Sequence, residues 1–293
     1  MIPGLLERDE LIEQAYFFRT FRERLEANLA AQDVLLLLAE ELLSTTRLPL
    51  AVQYLATEMK HSGSLGRGFA RLPHYFTPFQ SFVAVQAEDD KRKMTLSTAL
   101  LVLEREAEYK AGGVSPAGLF MYMIETITRN RLGYEDGLTA MANEPAFNAD
   151  WRLNASMVRK QIGMAEFAEL VYLRSEWYVA DRRRSDPEYV PPVPALFGEK
   201  EGKIAAASLG RDPLFLFAAL QRQLGYPEVP KPKPRDDRET LVQQLQVKIR
   251  EMDIRLRMLE AEARGTFDPL QFGKPEMFRD LPDDTDLPPV PTP

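Results

Sequence analysis

The chain has 293 residues, 28% of them charged, no cysteine and a formal net charge of −7. That is the make-up of a soluble globular protein large enough for a sizeable core. The missing cysteines exclude disulfides, thiolate metal sites and a cysteine nucleophile, and the acidic balance argues against a nucleic-acid or anionic-membrane partner.

The N-terminus, MIPGLLERDELIEQ, turns acidic at once and lacks the basic start and apolar run of a signal peptide. No apolar run is long enough to span a bilayer, so no membrane partner and a cytoplasmic location are expected. Phe18, Phe21, Leu25 and Leu29 follow helical spacing within a segment from about Asp9 to Ala31. Asp33 is placed to cap a second helix, DVLLLLAEELLS, and LAVQYLATEMK begins a third that stops at the loop HSGSLGRG. Thr77 to Gln80 has the capping-box pattern with Pro78 at the first helical position, so SFVAV is expected in a helix and not in a strand.

Leu96, Leu100, Leu103 and Ala107 trace the next apolar stripe, closed by Gly112-Gly113. Ser115-Pro116 opens AGLFMYMIETITRNRL, which Gly133 can terminate. Asp150 is placed to cap WRLNASMVRKQI. Met164 to about Arg183 forms one long amphipathic segment carrying Phe167, Leu170, Val171 and Trp177. The fold class expected is all-α, with a multi-helix globular domain over 1–185.

From Asp186 the prolines of DPEYVPPVPALFG force extended backbone. A short apolar helix, DPLFLFAALQRQL, follows, and PEVPKPKPR reads as a semi-rigid spacer. Residues 186–234 are therefore expected as a proline-rich connector. In 235–265 the heptad positions a and d fall on Val242, Leu245, Ile249, Met252, Leu256, Leu259 and Ala263, a short coiled-coil-like helix. Lys248 with Asp253, and Arg255 with Glu260, occupy flanking g and e positions that favour parallel pairing. Leu241, Val247, Ile254 and Met258 widen the apolar face, which suits packing within one chain as well as self-association. The tail, 266–293, is acidic and proline-rich, with Phe267, Phe272 and Phe278 as candidate docking anchors.

FGEKEGKIAAASLG, residues 197–210, resembles a phosphate loop only at first sight. A Walker loop needs four residues between its glycines and a hydroxyl after the lysine. Here three residues separate Gly198 from Gly202, Ile204 stands at the hydroxyl position, and Glu199 and Glu201 repel phosphate. A charged turn into the helix IAAASL is expected. Glu58 and His61, one helical turn apart, match half of a carboxylate-bridged di-metal site. The second histidine, His74, has Arg71 where an acid would be needed. His74, Tyr75 and Phe76 also suggest a small-ligand pocket.

No Gly-x-Ser-x-Gly elbow is present. The basic clusters Lys91–Lys93, Arg182–Arg184 and Lys231–Arg235 are each bordered by acids, which does not favour nucleic acid. No residue is assigned a catalytic or cofactor-binding role, and no cofactor is called for.

The leading expectation is a non-enzymatic interaction or scaffold protein, with a protein partner or a homo-oligomer formed through the heptad seam and the aromatic tail. The alternatives are an all-α metal-dependent enzyme using Glu58 and His61, and a small-ligand binding module.

Overall fold

The computed structural model describes residues 6–89, 91–92 and 94–231, together with Lys248, Met252, Arg255 and Leu256. Two units are distinguished, Met1–Pro234 and Arg235–Pro293. The described residues of the first contain thirteen helices and no strand. No helix among the described residues is long and apolar enough to cross a membrane.

Helix α1 (Arg8–Glu26) buries Phe17, Phe18 and Phe21 and stops short of the expected Ala31, because Asn28 takes a positive φ of 61°. Helix α2 (Ala31–Glu41) has Ala30 at its N-cap. Asp33 therefore lies inside the first turn, where it meets the helix dipole and does not cap. Helix α3 (Leu48–Ser62) ends on Gly63, whose φ of 66° suits a residue without a Cβ.

The expected loop after it winds into α4 (Leu65–Ala70). Ser64 caps α4 by accepting from the Arg67 amide (3.2 Å), and the Glu88 carboxylate accepts from the Ser64 hydroxyl (2.6 Å) and the Leu65 amide. Helix α5 (Pro78–Glu88) starts with the full capping box between Thr77 and Gln80, and Thr95 caps α6 (Leu96–Ala111).

Ser115 caps α7 (Pro116–Arg129), which ends at Asn130, so α8 (Tyr134–Ala142) is a separate helix that the sequence reading did not distinguish. Asn148, not Asp150, caps α9 (Ala149–Gln161). The single helix expected over 164–183 is two, α10 (Phe167–Leu173) and α11 (Glu176–Ser185). Ser175 breaks it by folding its hydroxyl onto the Tyr178 amide, while the Glu176 amide donates to the Phe197 carbonyl (2.8 Å). Helices α12 (Glu199–Ala207) and α13 (Pro213–Leu224) complete the unit.

The centre of the core is α7. Every residue from Gly118 to Ile127 is buried, so this helix has no solvent face. A helix buried all round must be covered on all sides, and part of that cover comes from residues beyond α9. Phe120 sits in a ring cluster with Phe147, Trp151 and Phe197 (centroids 5.2–6.3 Å apart). Helix α13 packs along α7, burying Leu216, Phe217 and Leu220, and the chain beyond it buries Tyr226 and Val229.

The described residues of the expected proline-rich connector, 186–234, are packed into the globular unit by these contacts. Prolines dictate their extended backbone, but the apolar residues between the prolines dictate where that backbone lies.

The polar groups of α7 are satisfied inside. The Tyr122 hydroxyl donates to the Val102 carbonyl (2.8 Å) and Thr126 to the Tyr122 carbonyl (2.8 Å). Glu125 pairs with Arg129 and accepts from the Tyr226 hydroxyl (2.7 Å), with the Phe217 carbonyl 3.0 Å from the same oxygen. Burial beside Glu125 pushes the Tyr226 hydroxyl above its ordinary pKa, so it remains a donor. Asn130 Nδ2 reaches the Pro230 carbonyl (3.2 Å), tying the end of the segment to α7.

Replacing Tyr226 by Phe leaves the buried Glu125 oxygen without its donor. The expected cost is about 1.5–3 kcal/mol in urea unfolding, the range for a hydrogen bond to a charged group. Tyr109→Phe, which removes a long contact to the Leu224 carbonyl (3.4 Å), is expected to cost under ~1 kcal/mol.

Candidate functional site

The residues singled out in the sequence are not brought together. Glu58 is buried and held by Arg71 (2.6 Å), while His61 and His74 are exposed. Among the described residues no three His, Asp or Glu side chains converge to hold a metal ion. Tyr75 and Phe76 are core residues, Phe76 stacking on Phe69 at 4.0 Å. The hollow beside His74 and Tyr75 is a surface depression, rimmed by Leu50 (72% exposed) and Tyr54.

Val242, Leu245, Ile249, Leu259 and Ala263 of the seam, and Phe267, Phe272 and Phe278 of the tail, lie outside the described residues. The two seam residues that are described, Met252 and Leu256, are more than half exposed.

Glu199 and Glu201 stand in the first turn of α12, so the GEKEGK stretch is mostly helix and not a turn. Gly202 is buried there, and a Cβ on it would lie 2.3 Å from Ser175 Oγ and 2.6 Å from Trp177 Cβ. Its role is close packing of α12 against the start of α11. The neighbouring Lys203 ammonium sits 4.4 Å from the Trp177 ring centroid.

Two charged clusters that sequence reasoning missed lie in the interior. In the first, Lys110 near the end of α6 is clamped between Glu106 (2.8 Å) and Glu144 (2.7 Å), all three buried. Burial pushes the Glu106 carboxyl above its ordinary range, against the pull of Lys110. Burial opposes the charge on Lys110 too, but the two carboxylates win and raise its pKa. A cavity of about 320 Å³ beside it is lined by Gln14, Gln80, Lys110 and Glu144 among others, and the Gln80 amide donates to Gln14 (2.9 Å). The three charges largely answer one another, and they join α6 to the loop before α9.

The second cluster centres on Arg174, the residue between α10 and α11. Its backbone carbonyl accepts from both Leu196 (2.8 Å) and Phe197 (3.1 Å), which fixes the residue against the returning proline segment. Its side chain is 5% exposed, and none of its three guanidinium nitrogens has a hydrogen-bond partner. Burial lowers its pKa from the ordinary arginine value, with Asp150 acting the other way. A guanidinium stays charged in proteins, so this is a buried cation without a hydrogen-bonded counter-ion, on which Asp150 acts only through its field.

Arg174 contributes to the wall of a cavity of about 220 Å³. Val158, Leu170 and Leu173 form its apolar side, Asn154 and Gln161 supply polar groups, and Tyr178, Tyr189, Pro191, Pro192 and Val193 close it. Two arginines of the 182–184 cluster hold this cover. Arg183 Nε donates to the Tyr189 carbonyl (3.1 Å), and the Arg182 guanidinium lies 5.6 Å from the Tyr189 ring centroid. This site left little trace in the sequence, since Arg174 is one arginine among many and the other walls come from segments 13–20 residues before it and 15–19 after it.

The chain matches no protein-family model, no curated protein and no solved structure.

For the Lys110 cluster, Lys110→Met leaves two buried carboxylates facing each other and is expected to cost about 3–5 kcal/mol. The triple change Glu106→Gln, Lys110→Met, Glu144→Gln is expected to recover most of that. Glu106, with its folded pKa raised, binds its proton more tightly folded than unfolded, so its ionisation destabilises as pH rises above the ordinary carboxylate range. Without Lys110 this effect grows. The deficit of Lys110→Met relative to the unaltered protein should therefore narrow as pH falls from about 8 to about 5, followed by thermal unfolding.

Proposed function

We propose that the chain is a helical binding protein for a small organic anion, with the ligand held between α9, α10, α11 and the 189–193 segment. The observation that carries this reading is the Arg174 guanidinium, buried in a cavity wall without a hydrogen-bond partner. Buried charges in proteins are paired or bound to a ligand of opposite sign, because an unpartnered one costs several kcal/mol. Nothing in the architecture needs this one, since the contacts that fix Arg174 in place come from its backbone carbonyl.

An architectural arginine and a ligand-binding arginine respond oppositely to an apolar substitution. Arg174→Leu keeps the carbonyl contacts and removes the buried charge. It is expected to stabilise the free protein by about 1–3 kcal/mol in urea unfolding, the desolvation penalty of one buried polar group. Loss of stability in this variant would make Arg174 a structural residue and remove the basis of the reading.

A second reading, a scaffold that self-associates through the 242–263 seam, is favoured by Met252 and Leu256, which stand 58% and 57% exposed at successive d and a positions. Leu245→Asp with Leu256→Asp is expected to lower the mass measured by light scattering, and an unchanged mass would count against self-association through this helix.

A further inference from the structure

We infer that the ligand of the Arg174 cavity is an organic monocarboxylate with an apolar body, admitted from beneath the 189–193 strap. This rests on the anion-binding reading and adds to it the chemical class of the ligand.

Charge comes first. One guanidinium belongs to the cavity wall, its nitrogens covered in the free protein, and with Asp150 already acting on it from outside the lining it balances at most one further negative charge. A phosphate carries about −1.5 to −2 at neutral pH and would bring an uncompensated charge into the interior. Phosphate sites gather several cations or a nest of free backbone amides. Here the start of α11 offers no such nest, because the Glu176 amide is taken by the Phe197 carbonyl and the Tyr178 amide by the Ser175 hydroxyl. A carboxylate matches both the single charge and the fork of a guanidinium, which presents paired N–H donors to two oxygens.

Shape comes second. At about 220 Å³ the cavity is smaller than the ~300–1,000 Å³ of pockets for drug-sized ligands, yet about seven times the ~30 Å³ share of one water. Its volume therefore fits a small metabolite-sized molecule. Val158 and Leu170 on one side and Pro191 on the other give that molecule apolar walls, so its body beyond the carboxylate is apolar.

Access comes third. The guanidinium nitrogens are covered, so part of the wall must yield for a ligand to reach them. The strap is the part built to do so. Arg183 holds its Tyr189 end and Arg174 its Leu196 end, and no backbone hydrogen bond anchors residues 190–195 between them. Three of those six residues are proline, with no N–H to offer.

Calorimetric titration of the full chain with benzoate, hexanoate, benzamide and inorganic phosphate tests this. At least one of the two carboxylates is expected to bind, and benzamide and phosphate to bind at least about tenfold more weakly, as loss of one charge-assisted pair predicts. Arg174→Leu should abolish the difference between benzoate and benzamide. Arg174→Lys, which keeps the charge but not the fork, should retain part of it. Circular dichroism of both variants checks that they are folded.

Preference for phosphate, or equal binding of benzoate and benzamide by the unaltered protein, would overturn the monocarboxylate assignment and leave the cavity as a ligand site of another class. If none of the four probes binds, the monocarboxylate assignment falls, and if Arg174→Leu also destabilises the protein, the anion-binding reading falls with it.

Discussion

Complete burial of α7 is the constraint on which the rest of the fold depends. Ten successive residues, Gly118 to Ile127, are buried. Burying an ordinary large apolar side chain contributes about 1.5–3 kcal/mol, so this one helix carries much of the hydrophobic driving force. The same burial imposes a debt of polar groups on its surroundings. Tyr122, Glu125 and Thr126 find partners on α6, on α7 itself and on Tyr226, 101 residues beyond Glu125. That last bond shows why the C-terminal part of the unit cannot stand apart. Without the 213–230 segment, one side of α7 and one oxygen of Glu125 would face water.

The cavity at Arg174 follows from the same requirement. Phe197 is drawn into the ring cluster around Phe120 and Trp151, and this fixes the far end of the proline strap. Its backbone then meets the gap between α10 and α11, where the Arg174 carbonyl accepts from two successive amides. A gap between helices normally leaves its carbonyls to water. Here the strap fills that role and in doing so roofs the guanidinium. Two effects compete at this point. The hydrogen bonds and ring contacts favour closure, while desolvation of Arg174 opposes it. Closure wins because the contacts at both ends of the strap are made by groups other than the guanidinium.

The fold was largely legible from the sequence because helix boundaries are written in local chemistry. Thr77-Pro78 and Ser115-Pro116 each act within a few residues of themselves, and each has the predicted role. Asp33 and Asp150 failed as caps because a residue three positions or two positions earlier began the turn, a shift that propensity alone does not resolve. The break at Ser175 was missed for a different reason. Besides the Ser175 cap itself, the Glu176 amide is held by the Phe197 carbonyl, 21 residues beyond Glu176, and no local pattern records that contact. The interior clusters were invisible on the same ground. Glu106 and Lys110 are an ordinary helical pair until Glu144 closes on them, and Arg174 is unremarkable until the strap covers it.

Gly202 shows how a feature can be informative and still be misread by motif. Spacing in GEKEGK denies it a phosphate, and its charged neighbours suggest an exposed turn. Yet the glycine is buried, and the atoms nearest to its missing Cβ belong to Ser175 and Trp177. Ser175 is the residue that ends α10 and caps α11, so the approach of α12 presses on the joint that holds Arg174. A larger side chain at 202 would push this joint outward by displacing Ser175, whose hydroxyl already donates to the Tyr172 carbonyl (2.6 Å) and accepts from the Tyr178 amide (3.2 Å). The second glycine of the apparent phosphate loop thus matters to the proposed anion site after all. It acts through packing, from behind, on a loop in which it takes no direct part.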